Sequence, residues 1–595
     1  MQKKVSTDTK VKILLFGFID MNAMDGSAVF LTSLSNTLAK DKNIEVDLLL
    51  ARPIIRDFLV KPLEEIENIN IINPFQDNDF NIKNNPWKEK GFLDYNIVEM
   101  LIKHYWKKNN YDWLIVRSME TVKKILNHDE IMSKTLVYAT GITQTNQFLS
   151  TIELNIIKEI YVKSAYFLCQ TSEMKDFVID LLSLDNKKNK VEILTPMIPD
   201  VKDEEGYNHN NKNDRNNKLV YTGKFDPHWK TIEIISAFKE LKREIVSLSL
   251  DIAGDKFNKD PNNPYFQEES IYLMKETEGV SWYGAVPREK AKELIIDSDV
   301  GITWRSTEMD KSLELSTKLL EYGILRKAVI MNPTKMHKKI FGDDYPLYAT
   351  TEKDFRQKIK LALQNNEVYE FAAKRMYDVS SQFVFSQTIK RLQPILWKEK
   401  TKQYLSKLRN DGYKIFADAN ESSFHKIINQ KYQNLNSKSK LTDNNIYICK
   451  KVNNNMDIKE ILKLSNYGVI QKMETLGWFY FIYFKEVRNN MESNAEENLT
   501  FVNKYVQQTE KKIKPDARAS LLYNEKVSPQ FELEIKDLNF KIAKLNSENA
   551  MLKMEISEMN KKNINLEKRN KALANSKLGK ITIRYWKYKK DKNKN

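Results

Sequence analysis

Apolar runs and amphipathic stretches alternate along residues 11–199. Val11–Phe18 (VKILLFGF) is apolar apart from Lys12, the pattern of a strand covered on both faces of a parallel sheet. A turn at Asp25-Gly26-Ser27 follows, and Phe30, Leu31, Leu34 and Leu38 then fall on one face of a predicted helix. Further strands are predicted over Ile44–Leu50, Trp113–Val116, Thr135–Tyr138, Tyr166–Cys169 and Val191–Leu194, most of them separated by helical stretches. This β-α-β rhythm predicts an open α/β sheet. Residues 200–217 carry almost no apolar side chains and read as a linker. The rhythm restarts with strands at Leu219–Thr222, Ser247–Ala253, Val280–Tyr283, Val300–Thr303 and Ala328–Met331, and helices at Lys230–Leu241, Ala291–Ile296 and Thr317–Leu325. Two α/β domains in tandem are therefore expected.

Beyond them the pattern changes twice. Residues 376–405 read as helical, whereas 406–530 mix Asn- and Lys-rich turns with apolar stretches such as Tyr413–Ala417 and Trp478–Phe484, and predict no particular fold. From Ile535 a heptad appears. Positions 535, 542, 549, 556, 563 and 570 are Ile, Ile, Asn, Ile, Asn and Asn, and positions 538 to 573 at the same interval are Leu, Leu, Leu, Met, Leu and Leu. Ile and Leu at these positions favour a parallel two-stranded coiled coil, and Asn in the seam fixes its register. The competing reading is one amphipathic helix packed on its own domain. Lys577 to Asn595 carries seven Lys and one Arg against one Asp, with Tyr585, Trp586 and Tyr588 interleaved. Such a segment suits an anionic membrane surface, with an RNA-binding or merely solvated tail as the alternatives.

Composition narrows the classes. The chain has 595 residues with 96 Lys+Arg against 80 Asp+Glu, a net charge of +16, and is 41% hydrophobic. That is enough apolar content for several cores and excludes a wholly disordered chain. Two cysteines, Cys169 and Cys449, give no disulfide framework and no Cys-x-x-Cys metal site, which fits a reducing cytoplasm. No apolar run reaches the ~18 residues needed to span a bilayer; the densest is Gly477–Phe484. The basic N-terminus lacks the pattern of a signal peptide. Asp77-Asn78-Asp79 has the Asp-x-Asp form of a metal site but lies in a polar, Asn-rich stretch and reads as a turn.

The chemistry concentrates in the second α/β domain. A predicted strand ends at Gly223, and Lys224 and Lys230 follow beside a helix start. Glycine admits close backbone approach, and two cations at a helix start favour a diphosphate. Further on, LDIAGD and SWYGAV precede the segment Asp299–Ile330. There Arg305 follows a strand end, Glu314 lies in a loop, and Ser316-Thr317 can open a helix whose free N–H groups face a phosphate, with Lys318 behind them. Glu321, one turn inside, can accept hydrogen bonds from ribose hydroxyls. Trp304 reads as a packing residue.

In this order and spacing the four blocks resemble the donor-binding half of GT-B glycosyltransferases, above all the retaining family 4. The resemblance covers about residues 10–400. It implies that Lys224, in place of the usual Arg, and Lys230 hold the donor diphosphate. It implies that Glu321 binds ribose and that Glu314 is the other member of an acidic pair. The pair is spaced by six residues where the family has seven, and a strict count lands on Leu313. Gly26 matches the first-domain Gly-rich loop, while the segment Tyr138–Thr143, where the family often has a cleft His, has none. Lys224, Lys230 and Glu314 are thus the expected catalytic residues. Gly26, Gly223, Arg305, Ser316, Thr317, Lys318 and Glu321 are the expected donor-binding residues.

The expected architecture is two Rossmann-like domains, 1–199 on the acceptor side and 218–375 for the nucleotide sugar, joined by the linker 200–217. Helices over 376–405 pack back on the first domain. An accessory region (406–530), a dimeric coiled coil (531–575) and the basic aromatic tail (576–595) follow. The expected activity is a hexosyltransferase using a UDP-linked sugar, without metal or cofactor, and with retention. The expected acceptor is a cell-envelope polysaccharide, teichoic-acid-like chain, glycolipid or glycoprotein. The enzyme would be a homodimer in the cytoplasm, peripheral at the inner face of the membrane; nucleic acid is not among the expected partners. The alternatives are a catalytically degenerate sugar-nucleotide-binding scaffold and a sugar-nucleotide epimerase on the same fold.

Overall fold

The computed structural model describes residues 10–76, 91–140, 142, 149–185, 189–201, 216–412, 414–417, 433–434, 445–450, 470–476, 479–484 and 497–504. The predicted coiled coil, the basic tail, most of the predicted linker and the Asp77–Asp79 turn lie outside these residues. Residues up to Leu499 form one compact unit, which contains the three sheets and the cleft described below.

The first sheet has seven strands: β1 (Val11–Gly17), β2 (Ile44–Leu49), β3 (Ile69–Ile72), β4 (Trp113–Arg117), β5 (Thr135–Tyr138), β6 (Tyr166–Cys169) and β7 (Val191–Ile193). All pair in parallel, in the order β3-β2-β1-β4-β5-β6-β7. β1 can lie in the interior of the sheet, between β2 and β4, because its side chains are apolar in both directions. Ile13 and Leu15 join Phe30, Leu31, Leu34 and Leu38 of the helix Gly26–Ala39 in one core layer. Leu14 and Phe16 join Val98, Leu101 and Ile102 of the helix Tyr95–Asn109 in the other. Each such side chain contributes roughly 1.5–3 kcal/mol through burial, so a polar residue on either face would be costly. Both helices start where an Asp carboxylate takes up free N–H groups. Asp25 accepts from Ser27 (2.9 Å) and Ala28 (3.0 Å), and Asp94 from Asn96 (2.9 Å) and Ile97 (3.0 Å).

The second sheet has five parallel strands, β8 (Lys218–Thr222), β9 (Ser249–Ala253), β10 (Val280–Trp282), β11 (Val300–Ile302) and β12 (Ala328–Ile330), in the order β10-β9-β8-β11-β12. Each sheet reverses its winding once, between β1 and β4 and between β8 and β11. Open α/β sheets bind ligands at the carboxyl ends of the strands beside such a reversal.

The chain passes between the two sheets at adjacent points. Ile198 N–H donates to Phe383 O (3.1 Å) and Phe385 N–H donates to Ile198 O (2.9 Å). The helix Asn366–Ser380 belongs to the second core through Ala372, Met376 and Val379. The helix Phe385–Leu396 packs on the first through Phe385, Ile389, Leu392 and Leu396. The indole N–H groups of Trp397 and Trp113 fix the return, donating to Asp41 Oδ2 (3.0 Å) and Leu396 O (2.8 Å).

A third, mixed sheet follows the helix Lys398–Asn410. It comprises β13 (Lys414–Ala417), β14 (Gln433–Asn434), β15 (Asn445–Lys450), β16 (Ile470–Leu476) and β17 (Phe479–Phe484), in the order β14-β13-β15-β17-β16. The apolar run that closes at Phe484 is thus a strand. Phe481 meets the Tyr404 ring edge-on at 4.8 Å, and the Tyr404 and Tyr483 hydroxyls are 2.9 Å apart. This sheet extends the first core and takes no part in the cleft described next.

Candidate functional site

The carboxyl ends of the two central sheets face each other across a cleft of about 340 Å³. The second-domain wall is built on two glycines. β8 ends in Gly223 (φ +126°) and β9 in Gly254 (φ +144°), both in backbone conformations that favour glycine. A Cβ on Gly254 would lie 1.9 Å from Gly223 O, so the two strand ends meet backbone to backbone. A Cβ on Gly223 would meet the end of the Lys318 side chain at 3.2 Å.

Three ammonium groups are gathered around these strand ends, each over an aromatic ring. Lys224 lies 4.8 Å from the Trp229 centroid, Lys230 4.0 Å from Trp304 and Lys318 3.7 Å from Tyr221. Ring faces hold cations without occupying their N–H donors. None of the three is ion-paired among the described residues. Lys230 has left-handed backbone geometry (φ 50°) at the start of the helix Thr231–Glu244. Burial pushes Lys318 down to about 7; Glu321 pulls it up, and Lys224 and Arg305 push it further down. An anion bound here would restore its charge.

The helix Thr317–Ile324 begins at Ser316 with no side-chain cap on its first N–H groups. Glu321, one turn in, accepts from Arg288 Nη2 (3.0 Å), and Arg288 Nη1 also donates to Ser33 Oγ of the first domain (3.0 Å). One guanidinium therefore both orients the carboxylate and ties the walls together.

The irregular acidic spacing has a structural explanation. Thr171 Oγ1 donates to Leu313 O (2.7 Å) and Leu315 N–H donates to Gln170 Oε1 (2.9 Å), so the first domain grips the loop on either side of Glu314. Leu313, at the strict family count, packs on the first core, and Glu314 is the residue that lines the cleft.

Arg305 is buried, 8% exposed, and among the described residues its Nε and Nη2 have no hydrogen-bond partner. Burial lowers its affinity for a proton, and Asp310 and Glu314 counteract this. Beside it the buried His337 donates from Nδ1 to Asn332 O (2.8 Å), because a carbonyl can only accept; its Nε2 has no partner. Burial holds His337 near 4, so it is a neutral acceptor at pH 7. Trp304 is a packing residue on one face, stacked on Phe355 at 4.6 Å, and carries Lys230 on the other.

The first-domain wall is sparser. Asp25 is buried, which favours the neutral acid, but the Lys256 ammonium and the N–H groups of Ala28 and Ser27 hold it below the usual carboxylate range. That Asp25–Lys256 ion pair joins the two domains. A second, Arg56–Asp255 at 2.9 Å, lies alongside in the sequence. Arg117 ends β4 and lies 5.5 Å over the Phe30 ring, which stacks on Tyr138 at 4.5 Å.

Of the sequence-predicted residues, Gly26, Gly223, Lys224, Arg305, Glu314, Ser316, Thr317, Lys318 and Glu321 line this one cleft. Lys230 stands just behind the lining, over Trp304. Tyr138 to Thr140 line it too, and Gly141 and Thr143 lie outside the described residues. Asp25, Arg117, Arg288 and His337 are cleft residues that the sequence reading missed. Arg117 alone carried a local signal, a cation closing an apolar strand (WLIVR) at its carboxyl end.

Residues 203–378 match the family model of glycosyl transferases group 1. Several solved structures are similar at TM-scores below 0.5. HepE of Anabaena, in complex with UDP and glucose, has 10% identity and a TM-score of 0.47, over 65% of this chain and 99% of HepE. The pneumococcal O-GlcNAc transferase GtfA, in complex with UDP and GlcNAc, has 10% identity and 0.48, over 65% and 98%. Sucrose-phosphate synthase of Thermosynechococcus elongatus has 12% identity and 0.46, over 67% and 99%. No curated protein sequence matches the chain. Among the described residues no helix is long and apolar enough to cross a membrane.

Proposed function

We propose that this chain is a glycosyltransferase of the hexosyltransferase type, as the match of residues 203–378 to the glycosyl transferases group 1 supports, and that it moves a sugar from a UDP-linked donor to a cell-envelope polysaccharide, teichoic-acid-like or lipid-linked acceptor with retention of configuration. The observation that carries the donor reading is the set of three unpaired ammonium groups beside an uncapped helix start.

The leaving nucleoside diphosphate gains negative charge as the glycosidic bond breaks. Lys224, Lys230 and the N–H groups after Ser316 are already arranged to meet that charge, so stabilising it needs little reorganisation in the transition state. Lys318, charged once an anion is present, adds to them. Glu321, oriented by Arg288, takes the ribose hydroxyls, and Glu314 reaches the sugar from its gripped loop. Closure of the cleft would exclude water from the reacting bond. No step requires a metal. The heptads at 531–575 and the basic aromatic tail suggest a dimer held at the inner face of the membrane, where lipid-linked acceptors lie.

The test is slow release of nucleoside diphosphate from a panel of nucleotide sugars without acceptor, with binding followed in the same samples. Release from one donor, lost in Lys230→Ala, is the expected result. Binding of every donor without release, even when acceptors are added, would favour the degenerate scaffold. Removal of 531–595 is expected to yield a monomer with unchanged donor release; a deletion variant that stays dimeric refutes the coiled coil.

A further inference from the structure

We propose that Arg117 reads a negative charge on the acceptor, so that the acceptor bears a phosphate or carboxylate close to the hydroxyl that is glycosylated. This rests on the donor reading above.

Arg117 stands at the carboxyl end of β4, beside the reversal of the first sheet, where a ligand is expected. Its guanidinium lies over the Phe30 ring and lines the cleft. Among the described residues no hydrogen bond or ion pair reaches that guanidinium, and its Nε is buried without a partner. Burial weakens its hold on the proton, and Tyr138, Glu314 and Asp25 only offset this from a distance. The acid that could neutralise it is already engaged, since Asp25 accepts from Lys256 and from the N–H groups of Ser27 and Ala28. Glu314 does not come within ion-pair distance. A half-buried cation without a partner is incompletely solvated, and a bound anion offsets this.

The donor does not account for that anion. Its two phosphates face Lys224, Lys230 and Lys318 on the other wall, and those three cations outnumber them. Arg117 projects from the first domain, where the acceptor enters. A planar fork of N–H donors suits two oxygens of one phosphate or carboxylate, which a lysine does not match.

The test uses the full chain saturated with UDP and measures binding of small probes by calorimetry. Glycerol 1-phosphate is compared with glycerol, and glucuronate with glucose. At least one anionic probe is expected to bind about 30-fold more tightly than its neutral twin. The phosphate and carboxylate arms separate the two sources of charge. Arg117→Gln should bring the pair near parity while UDP affinity stays unchanged, and Arg117→Lys should retain only part of the preference. Absence of any preference in the wild type, or a preference that survives both substitutions, overturns the proposal. If Arg117→Gln melts too low to be read, Arg117→Lys carries the test, and an undiminished preference there overturns the fork. A wild type that binds no UDP sinks the donor reading itself, a failure distinct from the others.

Discussion

The two walls of the cleft are built on the same strand order and carry opposite kinds of chemistry. On the second domain, β8 and β11 end among three ammonium groups held over rings and free of carboxylates. On the first, β1 and β4 end among Phe30, Tyr138 and a single guanidinium, and the nearby Asp25 is engaged across the domains. A shared winding fixes where a site can be; the residues after each strand decide what it binds. On the proposed reading, the second wall receives the nucleoside diphosphate that leaves. The first is an apolar surface with one fixed charge, suited to a substrate that must enter and be oriented.

The sharpest way to break this contrast is to remove a cation from the second wall. Lys230→Ala should slow nucleoside diphosphate release by about 10²–10³-fold, the range for a preorganised group facing charge that develops in the transition state. An equal loss of UDP affinity and of rate would mean that Lys230 serves ground-state binding alone. Glu321→Ala should weaken UDP binding about tenfold through lost ribose hydrogen bonds. Arg288→Ala should do so less, because it only orients Glu321. Affinity unchanged in Glu321→Ala would remove the ribose assignment.

Much of the second wall was legible in the sequence because its parts are contiguous. Lys224 and Lys230 follow one strand, and Ser316 to Glu321 form one helix start, so spacing alone brings them together. The role of Leu313 was not legible. Which of two neighbouring positions faces the cleft depends on Gln170 and Thr171, some 140 residues away, gripping the loop. Arg117 was passed over for a related reason: within WLIVR it looks like the end of a strand. That no described residue pairs with it is a property of the folded molecule. The third sheet was illegible because its strands lie between Asn- and Lys-rich stretches, without the alternation of strand and helix that marks the first two. Only the packing of Phe481 and Tyr483 on Tyr404 shows what β17 covers.

Lys318 sharpens the comparison through pH. Its affinity for a proton is lowered to about 7 by burial, with Lys224 and Arg305 adding to the effect. A bound diphosphate favours the charged form, so affinity should be full below pH 7 and fall by up to about tenfold per unit above it, until the raised value in the complex is passed. UDP titrations at pH 8 in buffers of different ionisation enthalpy should show uptake of close to one proton. Lys318→Met should abolish that uptake and flatten the profile. A wild type that takes up no proton would mean that Lys318 is already charged in the free cleft.

The smallest expected effect belongs to the first wall and asks whether the Asp25–Lys256 pair matters to the site at all. Asp25→Asn keeps the side-chain acceptor that starts the helix Gly26–Ala39 and removes only the charge facing Lys256. Lys256 is 39% exposed, so water screens the pair, and its contribution should be about 0.2–1 kcal/mol. Because the folded state holds Asp25 below the ordinary aspartate range, this stabilisation is present above that range and is lost as pH falls through the lower folded value. Melting curves of wild type and Asp25→Asn should therefore differ slightly at pH 6 and converge on acidification, with UDP affinity the same in both. A loss of UDP affinity comparable to that of Glu321→Ala would mean that the first wall shapes the donor site as well. The two walls would then have to be treated as one receptor.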